Sequence, residues 1–240
     1  MKRTFILITF TGVLAKVICA PVDVQPCNEE DSECLTKLTK LIYPSAITGD
    51  DKLGIPSSDP MKQEFVEGKF NTLTYTLTDS TLKGFKDCQI ESTTAITDQN
   101  SVEFKMVCPK FEMTGHYSAN GKILETDIKG DGEYRLDATD VYITITAEIK
   151  KTPRDNGKSI LSFEKFKVKP KVRGVVKIDL SNLFGGDKSL ADPVLKMLNE
   201  NWPIFVEELQ GPIFDANVGK MRNSFNKFLE LITSDNILKP

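Results

Sequence analysis

Histidine is nearly absent from this 240-residue sequence, and closely paired cysteines are absent altogether. There is one histidine, His116, and the five cysteines include no C-x-x-C pair. Imidazole is the usual general base near neutral pH, and structural zinc sites use closely spaced Cys and His ligands. We therefore expect no metal site and no cofactor. His116 lies among alternating strand residues, where a solvent-facing or structural role is the simpler interpretation and contact with a polar ligand group is the alternative.

An excess of basic charge and the common catalytic motifs are also lacking. The 31 Lys and Arg residues face 34 Asp and Glu residues, which gives a formal net charge of −3. This balance argues against nucleic-acid binding, which depends on neutralising phosphates. No G-x-S-x-G or H-E-x-x-H motif occurs, and Gly157-Lys158-Ser159 lacks the upstream glycine of a phosphate loop because Thr152 stands there. We therefore expect that the protein is not an enzyme.

The first twenty residues have the pattern of a secretion signal. Met1-Lys2-Arg3 is basic, residues 5–14 are mainly apolar, and Ala20 supplies a small residue for cleavage. The apolar run is too short to cross the roughly 30 Å of membrane hydrocarbon, and no later run is long enough. We expect residues 1–20 to be a signal peptide and residues 21–240 to form one secreted domain. Its 28 basic and 34 acidic residues would give a net charge of −6.

Four cysteines remain after the signal: Cys27, Cys34, Cys88 and Cys108. In an oxidising compartment they allow three pairings, among which the sequence alone does not choose. Local geometry favours Cys27 with Cys34, seven residues apart at the entrance to a helix. It also favours Cys88 with Cys108, because these two flank a turn near position 98 and would face each other across an antiparallel hairpin.

The apolar pattern changes from helical spacing to strand alternation and back. Residues 28–43 carry leucines at helical spacing, and we expect Pro44 to end this helix. Across residues 68–180, apolar and polar residues alternate, which predicts six or seven strands in successive hairpins. A change of parity predicts a β-bulge near Thr139-Asp140. Over residues 187–233 the helical spacing returns, with three prolines that predict a kinked or segmented helix.

These elements predict an α+β fold. A long apolar helix and a long antiparallel sheet must cover each other, so we expect a highly curved sheet wrapped around the C-terminal helix, with the short N-terminal helix at one end. Sheets pack about 10 Å from their partners, and that distance is difficult to keep along so long an element. An elongated apolar space between sheet and helix is therefore a hypothesis; the simpler interpretation assigns most of these apolar side chains to an ordinary core.

The C-terminal third carries the most specific motif. Residues 182–190, Asn-Leu-Phe-Gly-Gly-Asp-Lys-Ser-Leu, followed by Leu-Asn-Glu-Asn-Trp at 198–202, resemble the signature of the insect takeout/juvenile-hormone-binding protein family. Residues 53–60, 128–132 and 163–168 resemble the family's linker and strand motifs, and its N-terminal disulfide matches Cys27 and Cys34. The resemblance covers nearly the whole chain after the signal and is nearer the takeout branch.

Two departures from the family pattern stand out. Gly185 replaces an asparagine that is common in the signature, and a Cys88–Cys108 pair matches neither branch of the family. The structural roles we expect in the signature are a helix cap at Asp187 and an anchoring side chain at Trp202.

The resemblance implies an internal apolar pocket or tunnel and a function in carriage. We expect an extracellular carrier, in haemolymph or chemosensory fluid, for juvenile hormone, another terpenoid or a long-chain lipid. The alternative is a chemosensory or signalling interaction protein of the takeout type whose bound lipid is structural. The expected partners are the apolar ligand and an unidentified protein receptor, and the expected state is a monomer.

The candidate ligand-binding residues are apolar or aromatic side chains expected to face inward. Met and Phe suit a wall that must adapt to a flexible ligand. Leucines and an isoleucine of the first helix are expected to gate one end, held by the Cys27–Cys34 disulfide. In chain order the candidates are Leu35, Leu38, Ile42, Leu73, Tyr75, Phe104, Met106, Ile143, Ile145, Val176, Ile178, Phe205, Leu209, Phe214, Met221 and Phe225.

Overall fold

The computed structural model describes residues 25–70, 72–123, 125–155, 157–232, 234 and 237–239, without the side chains of Ile123, Glu208 and Leu209. The expected signal peptide, residues 1–20, lies outside this part of the chain. The described part contains three α-helices and one antiparallel sheet of seven strands, which confirms the α+β prediction. The elements are α1 (Ser32–Thr48), β1 (Met61–Phe70), β2 (Leu73–Lys83), β3 (Gln89–Ile96), β4 (Ser101–Ile123), β5 (Thr126–Pro153), β6 (Ser159–Val172), β7 (Val176–Leu180), α2 (Lys188–Glu200) and α3 (Trp202–Leu229).

A long hairpin of β4 and β5 is the spine of the sheet. The strand order is β1-β2-β4-β5-β6, while β3 pairs with the first half of β4 and β7 with the first half of β5. The sheet therefore has two halves. We call β3, β6 and hairpin residues 101–108 and 141–153 the α1 lobe, because α1 packs on β3. We call β1, β2, β7 and hairpin residues 111–123 and 126–138 the α2 lobe, because α2 packs on β7.

The lobes meet where both strands of the hairpin change face. Cys108 pairs with Val141 and Phe111 pairs with Ala138, so neither strand has an extra residue between the two pairs. All four side chains are nevertheless buried or partly buried, although residues three apart on a strand normally point to opposite faces. Asp140 has a φ of 47°. The irregularity predicted near this residue is present, but as a matched change in both strands and not as an extra residue in one. On the outer side of β5, the partner strand changes from β7 to β6 at the same place.

Helix α1 continues past Pro44 to Thr48, so the expectation that Pro44 ends the helix was wrong. Proline removes one backbone hydrogen bond from a helix interior. The following turn is nevertheless buried, since Ala46 and Ile47 are both 0% exposed. Burial of this turn against the sheet outweighs the local preference of proline.

The C-terminal helical tract is segmented, as its prolines predicted. The chain breaks at Asn201 (φ −114°, ψ 23°), and Pro203 lies in the first turn of α3, where its missing N–H is not needed. Asp187 caps α2 as predicted, with Oδ1 accepting from the Ser189 amide at 2.9 Å. Within α3, Gly211-Pro212 and Gly219 lie in the middle of the helix.

Two disulfides are present, Cys27–Cys34 and Cys88–Cys108, in the pairing that local geometry favoured. Cys27 also joins the two ends of the described chain. Its amide donates to the Ile237 carbonyl oxygen at 2.9 Å, and its carbonyl oxygen accepts from the Lys239 amide at 2.8 Å. The N-terminal disulfide and the C-terminal residues thus form one cluster beside α1.

Candidate ligand-binding site

A cavity of about 240 Å³ lies between the inner face of the sheet and α3, and it reaches into both lobes. Helix α3 lines it from Phe205 to Met221, a span of about 24 Å at 1.5 Å per residue. The cavity is therefore long and narrow. Its volume lies just below the roughly 300–1,000 Å³ of typical small-molecule pockets, and this shape favours an extended ligand over a compact ring system.

The wall of the cavity is apolar. Thirty of the described residues form it, and all but five of these are Ala, Val, Leu, Ile, Met or Phe; the five are three tyrosines, Gln210 and Asn217. No described residue of the wall carries a charge. Transfer of each ligand methylene from water into such surroundings is favourable by about 0.8 kcal/mol. The wall can therefore hold an apolar molecule without any polar anchor.

Strand alternation produces this wall directly. Leu73, Tyr75 and Leu77 of β2 face the cavity, and the residues between them are exposed or half-buried. Strand β7 contributes Val176 and Ile178 in the same way. Because successive side chains of a strand point to opposite faces, one curved sheet presents an apolar lining inside and a polar surface outside.

The hydroxyl groups of two wall tyrosines are bonded to the protein. Tyr117 donates to the Ser181 carbonyl oxygen at 2.8 Å, and Tyr134 donates to Ser80 Oγ at 2.7 Å. Burial raises the pKa of Tyr117 to about 12 and also raises the pKa of Tyr134. Both rings therefore remain neutral at ordinary pH and present apolar faces to the cavity.

Tyr75 covers a position on the neighbouring strand that requires glycine. It pairs with Gly68 of β1, and a Cβ on that glycine would lie 2.1 Å from Tyr75 Cζ. Any side chain at residue 68 would push the Tyr75 ring out of its position in the wall. The glycine thus fixes the shape of the cavity at this end.

Nine of the sixteen predicted residues form part of the wall. They come from β2, β5, β7 and α3, and the side chain of a further predicted residue, Leu209, lies outside the described part of the structure. The nine are Leu73, Tyr75, Ile143, Ile145, Val176, Ile178, Phe205, Phe214 and Met221.

The predicted gate on α1 does not reach the cavity. Leu35, Leu38 and Ile42 pack with the Cys27–Cys34 disulfide and with the C-terminal residues Ile237 and Leu238. They form a separate cluster because Cys27 and residues 237–239, at the two ends of the described chain, meet on that face of α1. This correction removes all three α1 residues from the wall.

Three further predicted residues lie beside the cavity, on β4 and α3, without lining it. Phe104, Met106 and Phe225 belong to a packed cluster that includes Ile47 of α1. The Phe104 ring meets the Phe163 ring edge-on, with centroids 5.9 Å apart. The inner face of the sheet is filled by side chains here, so these residues face inward without bordering open space.

Sequence reasoning missed the wall residues of the hairpin in the α2 lobe. Met113 and Tyr117 of β4 and Ile128 and Tyr134 of β5 all line the cavity. The alternation beginning at Tyr134 was visible, and the same alternation on β4 after the parity change could have found the others. The two amides, Gln210 and Asn217, were missed because polar residues in a helical pattern ordinarily indicate the solvent face.

His116 lies outside the cavity wall, on the exposed side of β4. Its Nδ1 is 3.0 Å from Glu133 Oε1, and its Nε2 is 3.2 Å from Asp131 Oδ1. The hydrogen bond to Glu133, followed by that to Asp131, raises the pKa of the imidazole. Among the described residues, no group of three or more His, Cys, Asp or Glu side chains is arranged so that it could hold a metal ion. Within the part of the chain that the structure describes, no helix combines the length and the apolar character that crossing a bilayer requires.

Comparison with known proteins gives one family and one fold. The profile of the family described as "Haemolymph juvenile hormone binding protein (JHBP)" matches residues 4–239. Two relatives are both named "Circadian clock-controlled protein daywake": that of Drosophila melanogaster is 27% identical over 229 residues, covering 87% of each chain, and that of Drosophila yakuba is 31% identical over 216 residues, covering 82% of this chain and 79% of the relative. The crystal structure of Epiphyas postvittana Takeout 1 aligns with a TM-score of 0.85 at 28% identity, covering 90% of this chain and 100% of that one.

Proposed function

We propose that this chain, which belongs to the haemolymph juvenile hormone binding protein (JHBP) family as the sequence resemblance predicted, is an extracellular carrier that holds one apolar small molecule in its central cavity. The observation that supports this most is the cavity itself, which is long and narrow and has no charged side chain among its described wall residues. The ligand class that fits is a terpenoid, juvenile hormone among them, or a long-chain lipid. The proposed binding contacts are the wall residues, and we propose no catalytic step.

The extracellular location is supported by the disulfides and by the N-terminal pattern. Disulfides persist in oxidising compartments and are rare in the cytosol. Both Cys27–Cys34 and Cys88–Cys108 are buried at one or both ends. Such bonds agree with the secretion signal expected at residues 1–20.

The decisive experiment is extraction of the natively purified protein into organic solvent, followed by mass spectrometry. We expect one equivalent of an apolar molecule that a labelled terpenoid or long-chain lipid displaces while the protein stays folded. A bound lipid that leaves only on unfolding would favour the alternative of an interaction protein with a structural lipid. A protein that carries no lipid and takes up neither probe would overturn the carrier function.

A charge placed in the wall provides a second test. Met221 is 4% exposed and lies in the wall, so Met221→Asp would put an unpaired carboxylate among apolar groups. We expect affinity for an apolar probe to fall by at least about tenfold, since a loss of 1.4 kcal/mol already has that effect. Asn223→Asp adds the same charge on the exposed side of α3 and should bind normally. Normal binding by Met221→Asp would remove Met221 from the ligand contacts.

Juvenile hormone itself requires a separate titration. Labelled hormone is compared with a fatty ester of matched length, with both affinities measured at one protein concentration. Clear preference for the hormone would support it as the ligand. Equal affinities would rule out a dedicated hormone carrier and leave general carriage of apolar molecules in place.

A further inference from the structure

Asn217 differs from every other polar residue of the described cavity wall. Its Nδ2 donates to the Ile213 carbonyl oxygen one turn earlier in α3, at 2.7 Å. Its Oδ1 is buried and has no hydrogen-bond partner, and the residue as a whole is 3% exposed. The reverse amide orientation would bring Oδ1 against the Ile213 oxygen, so the hydrogen bond fixes Oδ1 as the unpaired acceptor.

The other polar groups of the wall have partners or access to water. The hydroxyls of Tyr117 and Tyr134 donate to protein oxygens. Gln210 lies two turns before Asn217 on α3 and is only partly buried, so water can reach it. In the described part of the chain, two further buried side-chain atoms lack partners, Ser58 Oγ and Gln63 Oε1, but neither residue belongs to the wall. Asn217 Oδ1 is thus an orphaned acceptor at an otherwise apolar cavity.

A buried acceptor without a partner carries the full cost of its lost hydration, and a suitable donor recovers much of it. No described protein group supplies that donor. A molecule in the cavity is the remaining source, and its chemistry follows from the atom it meets. A hydroxyl can donate to Oδ1, whereas esters and epoxides have only acceptors. A carboxylate would bring a charge into a wall whose described residues include no cation.

We propose that Asn217 Oδ1 accepts a hydrogen bond from the ligand and selects apolar alcohols, terpenoid or long-chain, over their esters, ethers and carboxylates. This inference rests on the proposed carrier function and narrows its ligands to alcohols, so it favours a terpenoid or long-chain alcohol over juvenile hormone, which is an ester. Contact with the apolar wall provides most of the binding free energy. The Asn217 amide oxygen provides the selectivity between molecules that have the same apolar area but differ in whether they carry a hydroxyl group.

The test compares farnesol with farnesyl methyl ether, which has the same skeleton but no donor. Each displaces a fluorescent apolar reporter from the intact protein, and the two affinities are compared. We expect the wild-type protein to prefer farnesol by about tenfold, the effect of one hydrogen bond to a buried acceptor. In Asn217→Leu the two probes should bind within about twofold of each other, because leucine keeps the branched shape of asparagine and removes the acceptor.

Two controls separate this role from a structural one. Asn223→Leu removes an exposed amide from the same helix and should keep the preference for farnesol. The ligand-free Asn217→Leu protein should melt at the same temperature as the wild type or higher, since the variant no longer buries an unpaired acceptor.

The outcomes distinguish the two proposals. Equal affinity of the wild-type protein for both probes overturns the role of Asn217 and leaves the carrier function standing. A preference for farnesol that persists in Asn217→Leu also overturns it. Failure of the wild-type protein to bind the reporter or either probe overturns the carrier function and this inference together. The wild-type comparison needs no variant, so it decides the question even where Asn217→Leu does not fold.

Discussion

The two lobes of the sheet hold their inner aromatic rings by different means. In the α2 lobe, Tyr117 and Tyr134 are fixed by hydrogen bonds from their hydroxyls to groups outside the cavity. In the α1 lobe, the Phe104 ring meets the Phe163 ring edge-on with centroids 5.9 Å apart, and the Phe163 ring lies 5.4 Å from the Phe166 ring. One lobe fixes its rings from behind the wall, and the other fixes them by direct packing.

This difference explains where open space survives. Rings packed against one another fill the interior, because such contacts need centroids about 4.5–7 Å apart. Rings fixed from behind need no partner inside and can face an empty volume. The α1 lobe is accordingly filled around Phe104 and Phe225, while the cavity occupies the α2 lobe, the junction and the part of the α1 lobe beside Ile145 and Val168.

Removal of a disulfide should give the largest effect on stability. The loss should be greater for Cys88–Cys108, which reaches β4 of the α1 lobe, than for Cys27–Cys34 at the start of α1. The Cys88–Cys108 bond spans 20 residues and Cys27–Cys34 spans 7. Chain entropy then predicts losses of about 3 kcal/mol for Cys88→Ala/Cys108→Ala and about 2 kcal/mol for Cys27→Ala/Cys34→Ala. Denaturant unfolding of both variants measures the two losses. A greater loss from the N-terminal pair would contradict loop length as the cause of the difference between the two disulfides.

Gly68→Ala tests the α2 lobe by overpacking. The added methyl would lie 2.1 Å from Tyr75 Cζ, so the ring must move, at a cost of about 1–3 kcal/mol. Ligand affinity should fall as the wall shifts. Gly211→Ala is the matched control, because its Cβ would meet nothing within 4 Å and alanine favours the helix by about 1 kcal/mol. Thermal melting of both proteins should shift in opposite directions.

Alkaline pH should weaken the α2 lobe through three buried tyrosines of the wall, and Tyr43 of α1 should add to the loss because burial raises its pKa as well. Burial raises the pKa of Tyr75 and Tyr134 and raises that of Tyr117 to about 12. Tyrosines in the unfolded chain lose their protons near pH 10, which is below the pKa of these tyrosines in the folded protein. Their contribution to the free energy of unfolding is therefore fully present below pH 10 and declines as the pH rises toward 12. Tyr117→Phe should flatten this decline and cost about 1 kcal/mol at neutral pH through the lost hydrogen bond. Unfolding free energies of the wild type and of Tyr117→Phe, measured across pH 8–12, test this. If both proteins lose stability with pH at the same rate, burial of Tyr117 is not the cause of the decline.

His116→Gln should give the smallest effect. Glu133 and Asp131 raise the pKa of the imidazole, so any contribution to stability is present below about pH 6.5 and is lost as pH rises through the folded-state pKa. The group is exposed, and solvent screens such pairs. We expect an NMR titration of the wild-type protein to show a pKa of the His116 imidazole above its ordinary value. The unfolding free energy of His116→Gln should equal that of the wild type. A large loss of stability would contradict the structural independence of this site from the cavity.

The sequence predicted what depends on pattern and missed what depends on packing between distant elements. Alternation located the strands, and the parity change at Asp140 located the junction of the lobes. Pro44 was misjudged because the burial of Ile47 depends on a sheet formed later in the chain. Phe104 was placed in the wall because alternation gives the face of a strand but not the distance to whatever covers it. Asn217 was missed because no local pattern separates a buried amide from an exposed one.

The residues in the middle of α3 have a consequence for how a guest enters. Gly211-Pro212 and Gly219 lie where the helix spans the cavity. Relative to alanine they weaken the helix by about 1 kcal/mol for each glycine and about 3 kcal/mol for proline. Contact with a bound molecule would compensate for part of this weakness, so occupancy and helix order should rise together. Amide hydrogen exchange in α3 should then be slower in the ligand-bound protein than in the free protein. The lifetime of the complex would depend on how fast the helix unwinds around Gly211-Pro212 and Gly219.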